Sequence, residues 1–333
     1  MNVLVVGGAG YIGSHMMRML TGAKHTPIVF DNLSTGHKEL LPKRADFFKG
    51  DLKNIKDIDS VFKKYKIGAV MHVAASALVG ESVKDPLKYY ENNVSACVNL
   101  LKVMRARKVN LLIFSSTCAI FGEPAHLPMR EEDPKAPVNP YGRSKWMIET
   151  ILKDLSNVSS FRYVALRYFN ACGAHPDAEA GEWHEPETHL IPNALKTLCG
   201  KLKKLTIFGD DYDTPDGTCI RDYIHIHDLC QAHLLALEAL KNGMKSDCFN
   251  LGSGDGYSVK EIISMVEKVT GKKVPFRIGP RRSGDPARLV ASAKKAKKVL
   301  AWKPQMDLEQ IIQTAWKWET RTRKSGKAIR RAS

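Results

Sequence analysis

Near its start the chain runs Val3-Leu-Val-Val6, then Gly7-Gly-Ala-Gly10-Tyr-Ile-Gly13, then Ser14 to Leu20 with apolar residues at helical spacing. A short β-branched run of this kind is typical of a buried parallel strand. Strand, glycine turn and helix in that order leave few folds open, because together they make the first βα unit of a doubly wound sheet. Each glycine has its own task. Gly7 permits the tight turn, Gly10 lets backbone N–H groups approach a ligand, and Gly13 lets helix and strand pack closely. Such a turn cradles a pyrophosphate, drawn to the positive end of the helix.

The next strand, Thr26-Pro-Ile-Val-Phe30, ends on Asp31, eighteen residues after Gly13. An acidic side chain there grips the ribose hydroxyls of a dinucleotide and repels a 2′-phosphate, which argues for NAD over NADP. Lys38 is near enough to keep NADP as the minor alternative.

Strand and helix patterns then alternate: strands near 46–48, 69–73, 111–114 and 161–166, with helices near 55–65, 87–107 and 141–157. That alternation predicts an α/β fold, a doubly wound parallel sheet of Rossmann-like type. Beyond about residue 172 the pattern loosens into a polar loop, short strands near 205–208 and 249–251, and helices near 258–270 and 308–320. The expected division is a NAD-binding domain over 1–171 and a smaller α/β substrate lobe over 172–320, with some segments rejoining the first domain. Residues 321–333 read as a basic tail.

The 333 residues carry a formal charge of +16. The excess is partly local, at Lys294, Lys295, Lys297 and Lys298 and again in the tail, with no aromatic-interleaved basic patch or nucleic-acid module beside it. A solvated surface that attracts an anionic substrate is expected, and no nucleic-acid partner. The longest weakly polar stretch, Ala69 to Gly80, is too short to span a bilayer, so no membrane partner is expected. A strand beginning at residue 2 leaves no room for a signal peptide. Seven cysteines without a C-x-x-C pair suggest neither zinc knuckle nor disulfide framework, and a cytoplasmic location fits.

Tyr141-Gly-Arg-Ser-Lys145 sets a phenol and an ammonium four residues apart, on one face of a helix. Asn139 and Pro140 form a plausible cap, which places Tyr141 in the first turn, where the helix dipole favours an anion. The nearby ammonium and a positive nicotinamide ring together are expected to bring the phenol from about pH 10 toward neutrality. Leu111-Leu-Ile-Phe-Ser-Ser-Thr117 runs a buried strand into three hydroxyls at the edge where such sheets bind ligands. Thr117 is the hydroxyl expected to bond the reacting oxygen, while the phenolate takes a proton as hydride leaves the same carbon.

Gly7-x-x-Gly10-x-x-Gly13, Phe114-Ser-Ser-Thr117 and Tyr141-x-x-x-Lys145 resemble the extended short-chain dehydrogenase/reductase superfamily. Val79-Gly-Glu-Ser82, Tyr89-Tyr-Glu-Asn-Asn93, Leu166-Arg-Tyr-Phe-Asn170, Asp216-Gly-Thr-Cys-Ile-Arg-Asp-Tyr-Ile-His225 and Arg281-Arg-Ser-Gly-Asp285 narrow the resemblance to the UDP-glucose 4-epimerase family, over nearly the whole chain except the tail. The resemblance implies a tightly held NAD, a UDP-sugar substrate, a 4-keto intermediate and a homodimer. Tyr141 would be base and then acid, Lys145 would bind nicotinamide ribose, and Thr117 would assist. Gly7, Gly10, Tyr11, Ile12, Gly13, Asp31, Asn32, Asp51, Leu52, the Val73-Ala74-Ala75 turn, Asn92 and Phe169 would line the cofactor. Asn170, Leu190, Thr206, Phe208, Arg221, Arg282 and Asp285 would hold the UDP moiety, with both arginines on its diphosphate.

Three positions depart from the family pattern. Ala77 replaces a lysine near the cofactor, and His189 stands where an asparagine often meets the nucleotide. Leu289 is intermediate between a tyrosine that excludes N-acetylated sugars and a very small residue that admits them, so UDP-N-acetylhexosamines and UDP-pentoses stay open as substrates. A non-catalytic nucleotide-binding regulator is the remaining alternative. Related 4,6-dehydratases follow the threonine with an acidic pair; here Cys118 and Ala119 follow, which counts against dehydration. His184-Glu-Pro-Glu-Thr-His189 looks superficially like a zincin, but its histidines are five apart and Pro186 would break the helix that H-E-x-x-H needs. A flap over the uridine, with no metal, is expected there.

Overall fold

The computed structural model describes residues 1–124, 126–282 and 285–324. Its central layer is a seven-stranded sheet built from β1 (Asn2–Val6), β2 (Thr26–Asp31), β3 (Asp46–Lys49), β4 (Ile67–His72), β5 (Leu111–Ser115), β6 (Arg162–Arg167) and β7 (Asp247–Asn250). The strands lie in the order β7-β6-β5-β4-β1-β2-β3, and every neighbouring pair is parallel. Two apolar faces explain the unbroken hydrophobic runs. Val3 and Val5 pack into one core with Met16 and Leu237, while Leu4 and Val6 pack into the other with Phe30 and Leu100. This is the expected Rossmann-like doubly wound sheet.

The chain builds outward from β1 to β3, then returns to lay β4 on the other side of β1. A crevice therefore opens beyond the carboxyl ends of β1 and β4, the place where such sheets bind ligands. Helix α1 (Tyr11–Gly22) starts there. Gly7 has φ +82°, and a Cβ on it would lie 2.6 Å from the Ala74 backbone nitrogen. A Cβ on Gly13 would lie 2.2 Å from the Gly7 carbonyl oxygen. Both must be glycine for α1 to sit this close to the sheet.

Four features differ from the sequence reading. The helix expected over 87–107 is interrupted: Pro86–Tyr89 passes into a π-helical turn, Tyr90–Ser95, before Ala96–Ala106 resumes α geometry. A further short helix, Val79–Lys84, precedes it. The strand near 249–251, read as part of the smaller lobe, is β7 at the edge of the main sheet, hydrogen-bonded to β6. The helix Ile226–Lys241, absent from the reading, packs on α1 and buries Leu229, Ala236 and Leu240 in the first core.

The lobe over the crevice has its own core, to which Leu195, Ile262, Val266 and Ile312 contribute. Its frame is helix Leu190–Leu198, Val259–Thr270 and Leu308–Lys324, with strands Leu205–Phe208 and Phe276–Gly279 paired in parallel. None of the seven cysteines forms a disulfide, and among the described residues no helix is long and apolar enough to cross a membrane. The basic tail lies outside the described residues from 325 onward.

Gly13→Ala should destabilise the fold by at least about 2 kcal/mol, because backbone has no room to yield. Gly22→Ala, whose new Cβ would meet nothing within 4 Å, is the control and should be neutral or stabilising by about 0.5 kcal/mol. Urea denaturation of both variants measures the contrast.

Candidate active site

The carboxyl end of β5 gathers the chemistry. Helix α2 (Pro140–Asn157) begins as expected: Asn139 caps it by accepting from the Gly142 N–H at 2.8 Å, Pro140 occupies the first turn, and Tyr141 follows. Its phenol lies near enough to the Thr117 hydroxyl for that group to favour the ionised phenol. Thr117 Oγ1 also accepts from the Ala119 N–H at 3.1 Å, which fixes its rotamer at the start of a short 3₁₀ turn. Lys145 is buried, and its Nζ donates to the Ser115 carbonyl at 2.7 Å while lying 4.8 Å from the centroid of the Phe114 ring.

The electrostatics bear on the ammonium's part of the expectation for this phenol. Burial pushes the Tyr141 phenol above the ordinary tyrosine value; the Thr117 hydroxyl works in the opposite direction. Lys145 does not bring the phenol down here, because the ammonium is turned onto a carbonyl and is itself lowered by burial to about 8. A buried amine of lowered basicity one helical turn from a phenol makes this strand end the candidate reactive site.

Several anchors at this edge were not read from the sequence. Ser115 Oγ lies 2.8 Å from His233 Nε2, and Ser116 Oγ donates to Glu149 Oε1 at 2.5 Å. Glu149 in turn forms a buried ion pair with Arg167, Oε2 to Nη2 at 2.5 Å. Asn93, in the π turn, accepts from the Ser76 N–H at 2.8 Å and donates to Ser144 Oγ at 3.0 Å, tying the loop after β4 to α2. Tyr89 Oη donates to the Leu78 carbonyl at 2.6 Å, and its ring meets Tyr141 edge-on at 6.5 Å. Sequence segments carrying Asn93 and Arg167 stood out, but hydrogen-bond partners fifty residues away leave no local signal.

The glycine turn fits a dinucleotide. No side chain caps α1, so its first N–H groups point at the crevice. Gly10 is open apart from the Gly7 carbonyl at 3.4 Å from a built Cβ. Asp31 ends β2 with Oδ2 accepting from the Ala9 N–H at 2.9 Å and Oδ1 from the Leu33 N–H at 2.8 Å; each oxygen keeps a lone pair for a hydroxyl. Burial raises this carboxyl, against those two donors. Asn32 Nδ2 donates to Asp51 Oδ2 at 3.0 Å, which groups them with buried Leu52 beside Asp31. Val73 and Ala74 follow β4, both N–H groups bonded to the Val6 carbonyl at 3.0 Å, and Ala75 extends that turn. Asn92 donates to Ser76 Oγ at 3.0 Å. Lys38 is occupied over the Phe47 ring at 4.5 Å. Tyr11 Oη donates to the Gly173 carbonyl at 2.6 Å, so its ring is fixed beside Ile12 at the helix start.

The residues expected on the nucleotide lie in the lobe. Asn170 Nδ2 donates to the Asp222 carbonyl at 2.8 Å. Arg221 pairs with Asp285, so two of the expected ligands hold one another. The Arg282 guanidinium lies 4.1 Å over the Phe208 ring. Thr206 Oγ1 accepts from Arg277 Nε at 3.2 Å. Leu289 pairs in register with Arg221, and like Phe169 it packs against the small apolar cluster of Cys118, Ile120, Phe121, Met129 and Ala291. Leu190 opens the helix Leu190–Leu198, but His189 faces Glu182 and Glu187, each 2.8 Å from its Nδ1, rather than standing free.

A model of the family described as NAD dependent epimerase/dehydratase matches residues 3–252. The UDP-glucose 4-epimerase of Lacticaseibacillus casei is 47% identical over 319 residues, 96% of each chain. The crystal structure of UDP-glucose 4-epimerase from Brucella ovis in complex with NAD superposes with TM-score 0.92 at 49% identity, covering 95% of this chain and 97% of that one. The UDP-Glc/GlcNAc 4-epimerase of Campylobacter jejuni superposes with TM-score 0.84 at 44% identity, over 96% and 99% of the two chains. This chain belongs to the NAD dependent epimerase/dehydratase family.

Proposed function

We propose that the chain is a UDP-glucose 4-epimerase, an NAD-dependent isomerase that inverts C4 of UDP-glucose and UDP-galactose. The observation that carries this is the grouping of Thr117, Tyr141 and buried Lys145 at the end of β5, on the edge of the sheet that also bears the glycine turn. NAD, when bound, supplies a reversible hydride acceptor. Tyr141 Oη takes the proton of the sugar's 4-hydroxyl and later returns it, and Thr117 orients that hydroxyl. Lys145 holds the nicotinamide ribose and favours the phenolate once its ammonium is drawn toward it.

The glycine turn, Asp31, Asn32, Asp51, Leu52, Val73 to Ala75, Asn92 and Phe169 are the cofactor contacts in this reading, so residues 1–171 chiefly bind NAD. The lobe of 172–320 chiefly binds the UDP-sugar. Arg221 and Arg282 meet the diphosphate, with Asp285 holding Arg221 in place. A homodimer through the helices near 87–107 and 140–157 is supported by the exposed Val83, Leu87 and Met147 on that side. Seven cysteines held as thiols rather than disulfides support a reducing, cytoplasmic setting.

A second substrate class follows from Leu289. It packs against the cluster that includes Cys118, the residue after Thr117, and the chain is 44% identical to a Campylobacter enzyme whose name includes both UDP-Glc and GlcNAc. Leu289→Gly should raise kcat/KM for UDP-N-acetylglucosamine relative to UDP-glucose by about 10–100-fold, and Leu289→Tyr should lower the same ratio. A substrate panel reads both directions; a ratio indifferent to residue 289 removes it from the sugar pocket.

Tyr141→Phe should reduce kcat by about 10²–10⁴-fold while nucleotide released from the denatured protein stays the same. Retained turnover would defeat the assignment. Since burial holds the phenol above its usual value, its protonated form prevails at neutral pH in nucleotide-free protein. Added NAD⁺ should move the titration downward, because a positive ring favours the anion. Ultraviolet difference titration of the chain against Tyr141→Phe measures this, and an unmoved curve would place the phenol away from the nicotinamide.

A further inference from the structure

The loop between Cys172 and Leu190 crosses from the main sheet to the lobe, and four of its side chains turn inward to one point. The donor atoms of Glu182, His184, Glu187 and His189 all lie within 4.8 Å of one another. His189 Nδ1 is 2.8 Å from Glu182 Oε1 and 2.8 Å from Glu187 Oε1. His184 Nδ1 is 3.3 Å from Glu182 Oε1 and 3.7 Å from Glu187 Oε2. A tetrahedral ion with ligands at about 2.0–2.1 Å has donor–donor edges of about 3.3–3.4 Å. The observed edges straddle that value.

Hydrogen bonding accounts for only part of the arrangement: Glu187 Oε1 accepts from the Thr188 and His189 N–H groups at 2.8 and 2.9 Å, while other donor atoms of the cluster stay unpaired. The two carboxylates are almost wholly buried, with side chains 6% and 4% exposed, so their charge needs balancing by protonated His184 and His189 or by a bound cation. His184 Nδ1 and Glu187 Oε2 are both buried and both lack a well-directed hydrogen-bond partner, although they face the same point. The Lys196 ammonium, 3.7 Å from Glu187 Oε2, is a contact too long to satisfy that oxygen. Imidazole and carboxylate together are the donor set of zinc and its neighbours in the first transition row.

We propose that Glu182, His184, Glu187 and His189 form a four-coordinate structural site for a zinc-class divalent cation. Four protein donors leave no open position, which distinguishes it from a catalytic metal. The zincin comparison asked for two histidines on one helix, and this segment contains none; the ligands come from a loop instead, so the spacing that rules out a helix does not rule out the site. The ion pins the second half of the loop. His184 meets the Tyr11 ring edge-on at 6.2 Å beside the glycine turn, and His189 is the residue from which the helix Leu190–Leu198 starts.

The test uses untagged full-length chain, stripped with chelator, repaired with zinc alone and passed through a desalting column. Elemental analysis should find one zinc per chain. Cobalt in its place should give the visible bands of a four-coordinate nitrogen–oxygen site, without the thiolate charge transfer that binding to the cysteines would produce. A His184→Ala/Glu187→Gln double variant should retain at least about tenfold less zinc. Glu182→Gln, measured in parallel, covers the case in which the double variant fails to fold. Zinc should also raise the melting temperature of the stripped chain and leave that of the variants unchanged. Absence of retained zinc, a six-coordinate cobalt spectrum or a thiolate signature in the wild-type chain would each overturn the proposal.

Discussion

A neutral carbonyl oxygen, that of Ser115, holds the buried ammonium of Lys145, and the geometry of the site follows from this bond. Removing a cation from water is costly unless something replaces its hydration. Here the replacement is incomplete: one carbonyl, and the face of Phe114. Burial accordingly lowers the lysine to about 8, so that it is poised to gain a better partner. The same bond locks α2 against the end of β5. Tyr141, one turn before Lys145, is thereby set against Thr117, two residues beyond Ser115. Each residue of that strand end has its own tether: Ser115 to Lys145 and His233, Ser116 to Glu149, Thr117 to Tyr141.

The fold was legible wherever one local pattern dictates one structure. Val3 to Val6 followed by glycines admits little else, since Gly7 needs a left-handed φ and Gly13 needs the absence of a Cβ. The Asn139-Pro140 cap likewise fixed the start of α2 from three residues. What could not be read depends on distant partners. The π turn at Tyr90–Ser95 widens the helix where Asn93 reaches both Ser76 and Ser144, a demand set by residues 17 and 51 positions away. β7 carries a short apolar pattern suited to any sheet, and only its pairing with β6 decides which one it joins. The raised Tyr141 phenol is of the same kind: helical spacing placed the lysine on the right face, but not the carbonyl that captures it.

The loop before Leu190 separates two meanings of spacing. A motif such as H-E-x-x-H encodes geometry through the helix that carries it, and Pro186 removes that helix. Without one, sequence distance says little about spatial distance. Glu182 and His189 are seven apart in sequence yet 2.8 Å apart in space. The folding of the loop is guided from outside it: Trp183 stacks on His37 at 3.8 Å, and the Trp318 indole donates to the Glu182 carbonyl at 3.1 Å. Two aromatic anchors on separate elements thus bring the four polar side chains together.

The buried pair of Arg167 and Glu149 shows why the site is built on polar contacts rather than apolar filling. Charges this deep contribute little net stability, and an apolar replacement of equal volume is often no worse for the fold. An apolar contact would nonetheless leave the end of β5 free to slide. Glu149 Oε1 receives both Ser116 Oγ at 2.5 Å and Arg167 Nε at 3.0 Å, while Arg167 spans to the Glu131 carbonyl at 3.3 Å. Three elements are fixed by directional bonds at the residue before Thr117. Since proton transfer demands placement within a few tenths of an ångström, a network that specifies position serves this edge better than one that only adds burial.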